Sequence, residues 1–433
     1  MEDDGTTNKC KKHYVNFYKQ ESIVEDIPET HVLKSIEKKL GTNHYCLLTY
    51  KTEIIDKRLG FLGDYCYLQV SYLNEHGAKE NSSFFVKYFP TAEILARLAR
   101  ELGSFEKESF VYKLFKQFAK DDINIIDNVA TKCYVCKCDS YVILENLADC
   151  SFEPADKRAD LDYDTVLVVL QALAQLHASS IVYEIKSGKK LIESYPGELV
   201  ESFYNATNRK NTEASIKGIS ESIGLFDLDG PLKNGKRFSD VAGCLCGEID
   251  DLVKPSGKYR NVLTHGDLWA NNVMLKRDEK SGKAVGCKLV DFQCARYAPP
   301  AYDVLSFIYL TTSREFRRQH LYELTGIYYS YLERNLKRFG CNIDDILSFD
   351  DFMESCEVAK KFAIVLAAFY FPLVLIDNEK IEEYFADEEL NAKAIFDNRI
   401  HLVLKHKDED EFYRNRIVQS LQDLKELCQN YEN

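Results

Sequence analysis

Residues 263–275, LTHGDLWANNVML, decide the fold class of this chain. In this stretch short apolar runs flank a polar turn, in which Asp267 follows His265 by two positions and precedes Asn272 by five. The next apolar run, CKLVDFQ, carries Asp291, 24 residues beyond Asp267 (291 minus 267). Mg²⁺ favours oxygen ligands and takes only one or two carboxylates. The sequence therefore predicts a magnesium site built from Asn272 and Asp291.

The spacing of His265, Asp267 and Asn272 is the H-x-D-x-x-x-x-N spacing of protein-kinase catalytic loops. Phosphoryl transfer needs a carboxylate that accepts the proton of the attacking hydroxyl, and ligands that hold magnesium on the phosphates. We therefore expect Asp267 to be the catalytic base. His265 is expected to support the loop by hydrogen bonds to the backbone rather than to act chemically. A plain turn or cap role is the alternative for the Asp and Asn residues.

An upstream strand, SSFFVKYFP at 82–90, presents Lys87 among apolar and aromatic residues. In a kinase fold such a lysine contacts the α- and β-phosphates and pairs with a helix glutamate. Glu108 in the following helix is the preferred partner, with Glu101 and Glu106 as nearby alternatives. The competing interpretation is a strand lysine that extends into solvent.

Two weaker signals concern the nucleotide. RLGFLGDYCY contains Gly60 and Gly63 but no G-x-G-x-x-G, so we expect either a short loop whose amides approach phosphate around Gly63 or an ordinary turn. YVILENL ends a strand where two lobes would join. An adenine could bond there to the backbone around Glu145 and Leu147.

The order of predicted elements indicates an α+β, protein-kinase-like fold with two lobes. Residues 1–147 are expected to form a small antiparallel-sheet N-lobe with an N-terminal extension, and residues 148–433 a large helical C-lobe that holds the catalytic loop, the metal site and the acceptor pocket. Strands are predicted at 65–72, 83–89, 134–138, 141–144 and within 262–275 and 286–292; helices are predicted at 93–118, 164–177, 316–339, 352–371 and 410–429, with Asp164 as a helix N-cap.

The segment after Asp291 argues against a protein substrate. Protein kinases carry D-F-G, an activation loop and A-P-E here. This chain has DFQ at 291–293, and Asp303 follows Asp291 by only twelve residues (303 minus 291), which leaves no room for a peptide-docking segment. Asp303 begins the helix DVLSFIYL and could brace the catalytic loop by hydrogen bonds. Trp269 also replaces the lysine that protein kinases commonly carry two residues after the base. Both departures favour a small-molecule hydroxyl acceptor.

Composition restricts the partners. The 433 residues have a net charge of -13 and no dense Lys/Arg tract, so nucleic acid is not expected. The longest apolar run, 362–376, contains Pro372 and is shorter than the roughly 18–20 residues that span a bilayer, so no membrane partner is expected. No obligate protein partner is evident either.

The fourteen cysteines are widely spread. Cys133 and Cys136 form a CxxC, but no second pair with zinc-finger spacing lies nearby, so structural thiols are expected rather than a metal site. The N-terminus opens acidic and has no apolar segment typical of a secretory signal. Reduced cysteines and a cytoplasmic location are therefore expected.

Five segments together resemble the insect ecdysteroid kinase-like family: HGDLWANN, LVDFQCARYAPPAYDVLSF, FVKYFP, FEKESFVY and ILENL. That family belongs with choline kinases and aminoglycoside phosphotransferases, and the similarity covers about 52–329. The resemblance implies ATP and Mg²⁺ as cosubstrates and hydroxyls of steroids or other lipophilic alcohols, foreign compounds included, as acceptors. It assigns the base to Asp267, the metal ligands to Asn272 and Asp291, and the phosphate lysine and its partner to Lys87 and Glu108.

The chain departs from the family pattern in two places. The hinge, usually Glu-Asp-Leu, reads Glu145-Asn146-Leu147, and the phosphate turn lacks the serine of relatives, with Cys66 close to its position. A catalytically silent protein that binds a nucleotide or a sterol is therefore the alternative function. The acceptor pocket is expected from the helical lobe, including residues 183–247.

Overall fold

A five-stranded antiparallel sheet forms the N-terminal part of the computed structural model, which describes residues 26–55, 60 and 62–431. Its strands are β1 (Cys46–Ile54), β2 (Asp64–Leu73), β3 (Lys79–Tyr88), β4 (Cys133–Lys137) and β5 (Tyr141–Glu145). They lie in the order β1-β2-β3-β5-β4, and every neighbouring pair is antiparallel. The small antiparallel sheet predicted from the sequence is confirmed.

Strand β3 lies at the centre of this sheet, with β2 on one side and β5 on the other. Its alternate residues Phe84 and Val86 are buried in an apolar cluster that also contains residues of helix α1 (Glu29–Leu40). Because successive strand residues point to opposite faces, Lys87 lies on the other face of the sheet. That face lines the cleft toward the rest of the chain.

The single helix predicted over 93–118 is wrong, because two helices occupy this region. These are α2 (Glu93–Leu102) and α3 (Ser104–Lys120). Gly103 separates them with φ of 59°, in the left-handed region that favours glycine and ends helices. The break redirects the chain, and α3 carries the buried Glu108.

Two small sheets lie at the floor of the cleft. Strand β6 (Phe152–Pro154) pairs with β8 (Val273–Arg277), which pairs with β9 (Ala284–Leu289). Strand β7 (Val262–Thr264) pairs with β10 (Arg296–Ala298). The loop from β7 to β8 carries HGDLWANN, and the segment after β9 carries Asp291. Both predicted polar turns are therefore held between short paired strands.

The remainder of the described chain is helical. Long helices are α4 (Tyr163–Ser187), α10 (Arg314–Lys337), α11 (Phe349–Val374) and α15 (Glu411–Cys428). The others are α5 (Leu191–Ser194), α6 (Arg209–Leu225), α7 (Phe238–Gly247), α8 (Ile249–Leu252), α9 (Ala301–Thr311), α12 (Asn378–Ala386), α13 (Glu388–Phe396) and α14 (Ile400–His406). Short 3₁₀ helices occur at Asn124–Asn128, Leu147–Cys150, Ala270–Asn272, Phe292–Cys294 and Ile343–Asp345.

Helix α4 is the central helix of this part. Its N-cap is Asp162, which accepts the backbone N–H of Thr165 at 2.7 Å, so the predicted cap at Asp164 is wrong. Within the described residues α4 alone is long and apolar enough to cross a membrane, with a mean hydropathy of 1.6 over its apolar window. However, 78% of that window is buried inside the protein, as in the core helix of a globular fold.

The α+β class and the kinase-like arrangement of a small sheet followed by many helices are thus confirmed. The sheet ends at Glu145 in β5 and the long helices begin at Tyr163. The lobe boundary after Leu147 stays a prediction.

Candidate active site

A cavity of about 560 Å³ lies between the sheet and the helices. Lys87 and Glu108 line it from the sheet side, and Asp267, Asn272 and Asp291 line it from the helical side. The two polar loops and the β3 lysine, which are far apart in sequence, therefore meet in one cleft.

Lys87 is held between two carboxylates. Its Nζ lies 2.8 Å from Glu108 Oε2 and 2.6 Å from Asp291 Oδ1, and Gln293 Oε1 accepts a further hydrogen bond at 3.3 Å. Burial acts to lower the pKa of Lys87, but Asp291 and Glu108 outweigh burial and raise that pKa above its usual value. Lys87 is only 3% exposed, which excludes the solvent-extended alternative. The ammonium is therefore a fixed positive charge in the cleft.

Asp267 receives two side-chain hydrogen bonds. The hydroxyl of Tyr370 donates to Oδ1 at 2.9 Å, and Asn272 Nδ2 donates to Oδ2 at 3.1 Å and to the Asp267 carbonyl at 2.7 Å. Burial, aided by the nearby Asp291 carboxylate, raises the pKa of Asp267 to about 7, although these hydrogen bonds oppose the rise. A carboxylate with a pKa near neutrality is well matched to accept a proton at physiological pH.

Asp303 holds the loop from behind. Its Oδ2 accepts the backbone N–H of His265 at 2.5 Å and its Oδ1 accepts that of Gly266 at 3.0 Å. His177 Nε2 lies 3.1 Å from Oδ2, and the His177 Nδ1 lies 2.6 Å from the hydroxyl of Tyr328. Burial acts to raise the pKa of Asp303, but the hydrogen bond and charge of His177 hold it below its ordinary value. An ionised, buried carboxylate thus fixes the path of the loop.

His265 ties the same loop to the end of β9. Its Nε2 donates to the carbonyl of Val290 at 2.9 Å, and its Nδ1 accepts the backbone N–H of Asp267 at 3.3 Å. Burial lowers the pKa of His265, which favours the neutral ring that these two bonds require. These contacts are those of a residue that supports the loop, as predicted for His265. The predicted supporting role of Asp303 is based on its own bonds to the backbone of His265 and Gly266.

Gly266 allows the close approach of two loops. Its φ is 81°, and a Cβ at this position would lie 1.9 Å from the carbonyl oxygen of Cys294. A side chain there would displace the backbone next to Asp291. The sequence signal for this requirement is the glycine between His265 and Asp267.

Asn272 and Asp291 carry oxygen atoms of the kind that Mg²⁺ takes as ligands. The Asn272 amide nitrogen donates to Asp267, so its oxygen is the atom left for a cation. Asp291 adopts φ of 67°, an uncommon conformation for a non-glycine residue and one that recurs at functional sites. Among the residues described, no group of three or more His, Cys, Asp or Glu side chains is arranged to hold a metal. This set suits an ion that is bound by one carboxylate, one amide oxygen and phosphate oxygens.

The structure describes some of the residues predicted to bind the nucleotide. Gly63 packs against Lys87, since a Cβ at Gly63 would lie 3.2 Å from Lys87 Cε. The rest of the phosphate turn, residues 56–59 and 61, lies outside the described residues. Glu145 and Leu147 line the cavity. The side chain of Asn146 accepts the backbone N–H of Ala148 at 3.2 Å. An aspartate would accept the same hydrogen bond, so the change from Glu-Asp-Leu to Glu-Asn-Leu keeps the capped turn.

Sequence reasoning missed Tyr370 and His177, both of which lie in apolar helices. Each resembles an ordinary core residue in the sequence, and its partner lies 103 residues away for Tyr370 and 126 residues away for His177. No local signal could have identified either one.

Residues 60–341 match the ecdysteroid kinase-like family. The matched region covers more than half of the chain and contains Lys87, Glu108, the catalytic loop and Asp303. Tyr370 lies beyond it. No curated protein matches the chain.

We predict that Gly266→Ala destabilises the protein by at least about 3 kcal/mol, because the left-handed φ and the contact with Cys294 both oppose a Cβ. Gly257→Ala is the control, since a Cβ at Gly257 meets no atom within 4 Å. Urea unfolding measures both free energies. Equal stability of the Gly266→Ala variant and the wild type would show that the loops are not closely packed.

We also predict that Asp267→Asn raises the melting temperature of the nucleotide-free protein. Because the folded-state pKa of Asp267 is raised to about 7, its ionised carboxylate destabilises the folded state. This penalty grows from about pH 4 to about pH 7 and then levels off. Calorimetry should show a gain of about 2 °C near pH 8 and a smaller one near pH 5. The exposed Asp139→Asn is the control, and a lower melting temperature for Asp267→Asn near pH 8 contradicts the assignment.

Proposed function

The chain belongs to the ecdysteroid kinase-like family, and from this membership we propose that it transfers a phosphoryl group from ATP to a hydroxyl of a small lipophilic molecule, such as an ecdysteroid or a foreign alcohol or glycoside. Membership by itself supports a kinase-like phosphotransferase. The observation that carries the finer proposal is the meeting of Lys87, Glu108, Asp267, Asn272 and Asp291 in one cavity.

Each residue of the cleft has a distinct task in this proposal. Asp267 accepts the proton of the acceptor hydroxyl, and Tyr370 and Asn272 fix the orientation of its carboxylate. Lys87 supplies the positive charge for the phosphates, with Glu108 holding its ammonium in place. Asn272 and Asp291 would hold magnesium, which when bound with ATP neutralises the charge of the phosphates.

Apolar residues in the lining of the cavity support a lipophilic acceptor. Phe203, Phe369, Leu373 and Ile395 line it, together with Leu95 from the sheet side. An apolar lining with few polar groups is typical of a small-molecule site. Residues 183–247 contribute Phe203, Tyr204 and Asn211 to the lining. Helices α11 and α13 contribute Phe369, Leu373 and Ile395.

We further propose that the protein acts in the cytoplasm on free small molecules, as one component of detoxification or of hormone inactivation. The acidic composition supports the absence of a nucleic-acid partner. The burial of α4 supports the absence of a membrane partner.

Incubation with Mg-ATP and a panel of ecdysteroids, plant glycosides and amino alcohols tests the proposal. Mass spectrometry should detect a phosphorylated product with the wild type, and Asp267→Asn should lower the rate by about 10²–10⁴-fold. Asp139→Asn, which changes an exposed acid, should not change the rate. No product from any acceptor, or equal turnover by Asp267→Asn, contradicts it. Nucleotide binding without turnover would favour the silent binding protein instead.

A further inference from the structure

Arg399 is unusual among the buried arginines of the described residues. Four arginines are less than 9% exposed: Arg296, Arg317, Arg399 and Arg416. Arg296 pairs with Glu201 at 2.5 Å, Arg416 pairs with Asp160 at 3.0 Å, and Arg317 pairs with Asp423. Arg399 has no carboxylate partner in the described part of the chain. It is also the one of the four that lines the cavity.

The guanidinium of Arg399 contacts only neutral acceptors. Nη1 donates to the carbonyl of Phe369 at 2.7 Å, Nη2 to Asn211 Oδ1 at 3.1 Å and Nε to the carbonyl of Ala394 at 3.2 Å. A guanidinium has five N–H groups, so donors remain for a further partner. Burial lowers the pKa of Arg399 to about 10, which still leaves it charged at neutral pH. The cavity wall therefore carries an uncompensated positive charge.

A second polar group nearby also lacks a partner. The hydroxyl of Tyr204 is buried and has no hydrogen bond among the described residues. Tyr204 lines the same cavity. Buried polar groups without partners cost free energy and in native structures generally mark a bound water, an ion or a function. The Tyr204 hydroxyl, which has no hydrogen-bond partner among the described residues, and the Arg399 guanidinium, which has no carboxylate partner there, thus line the same cavity.

Helix α11 connects Arg399 to the proposed base. Phe369, whose carbonyl binds Arg399, is followed in sequence by Tyr370, whose hydroxyl binds Asp267. The two adjacent residues fix the guanidinium and the Asp267 carboxylate relative to each other. A ligand with one group at Asp267 could therefore place a second group at Arg399.

We propose that Arg399 binds an oxyanion of the acceptor, a carboxylate or a sulfate, so that the substrate is an amphipathic hydroxy compound with a negative group remote from the hydroxyl at Asp267. A buried charge without a partner costs free energy. Arginine does not escape this cost by becoming neutral, because it retains its proton. A ligand oxyanion supplies the missing counter-charge and the planar acceptor pair that suits a guanidinium. This inference rests on the proposed function for the position of the hydroxyl.

Trp269, the only tryptophan of the chain, lines the cavity and reports binding without catalysis. We suggest titrating the nucleotide-free protein with cholate and with its methyl ester, which share rings and hydroxyls but differ in charge. A steroid sulfate and its parent alcohol form a second pair, and the two pairs distinguish carboxylate from sulfate. The wild type should bind the anion of at least one pair about tenfold or more tightly than its neutral partner.

Asn211→Asp is the sharpest variant, because it places a carboxylate on Arg399 at the position of the existing 3.1 Å contact. This internal counter-ion should reduce the anion preference to about twofold or less. Arg399→Gln should do the same if it folds. Arg158→Gln is the matched control, since Arg158 lines the same cavity but already pairs with Asp410 at 2.5 Å, and it should retain the preference.

Equal or tighter binding of the neutral partners overturns the inference, as does the absence of binding by both anions. An anion preference that Asn211→Asp leaves unchanged also overturns it. Failure of the proposed function is a separate result. It appears as absent phosphoryl transfer in the Mg-ATP assay, while the Trp269 titrations still show the anion preference.

Discussion

The ammonium of Lys87 joins three parts of the chain that are far apart in sequence: strand β3, helix α3 and the segment after β9. Breaking a buried ion pair by removing one partner costs about 3–5 kcal/mol, because the remaining charge is left uncompensated. This pairing therefore fixes the distance between the sheet and the floor of the cleft.

A second constraint holds the backbone of the loop that carries Asp267. The Asp303 carboxylate accepts two successive backbone N–H groups, and Gly266 lets the loop approach Cys294. With the backbone held this way, Asp267 is kept close to Asp291 although the two carboxylates repel each other. Burial, together with the repulsion by Asp291, raises the pKa of Asp267 to about 7. Burial and the neighbouring Asp291 charge are thus the origin of the raised pKa of Asp267, and the Lys87 and Asp303 contacts hold the two loops in this arrangement.

The polar residues of the cleft could be predicted because their signals are local. Lys87 lies in an apolar strand, and the spacing of Asp267, Asn272 and Asp291 follows from two short strand-turn units. The structure brings all four together, while their chemical roles stay predictions. Features that depend on tertiary packing could not be found this way. Apolar periodicity continues through Gly103, so it conceals the helix break. Arg399 follows Asp397 by two positions, so nothing in the sequence shows that it lacks a carboxylate partner in the fold.

Thermal unfolding in the presence of nucleotide shows whether the cleft that contains Lys87 and Asp291 binds Mg-ATP. A ligand at 100 times its Kd stabilises the native state by about 2.7 kcal/mol. We expect Mg-ATP to raise the melting temperature of the wild type, ATP without magnesium to raise it less, and Asp291→Asn to lose the magnesium-dependent part. No shift with Mg-ATP, or the same shift without magnesium and in Asp291→Asn, would contradict the account.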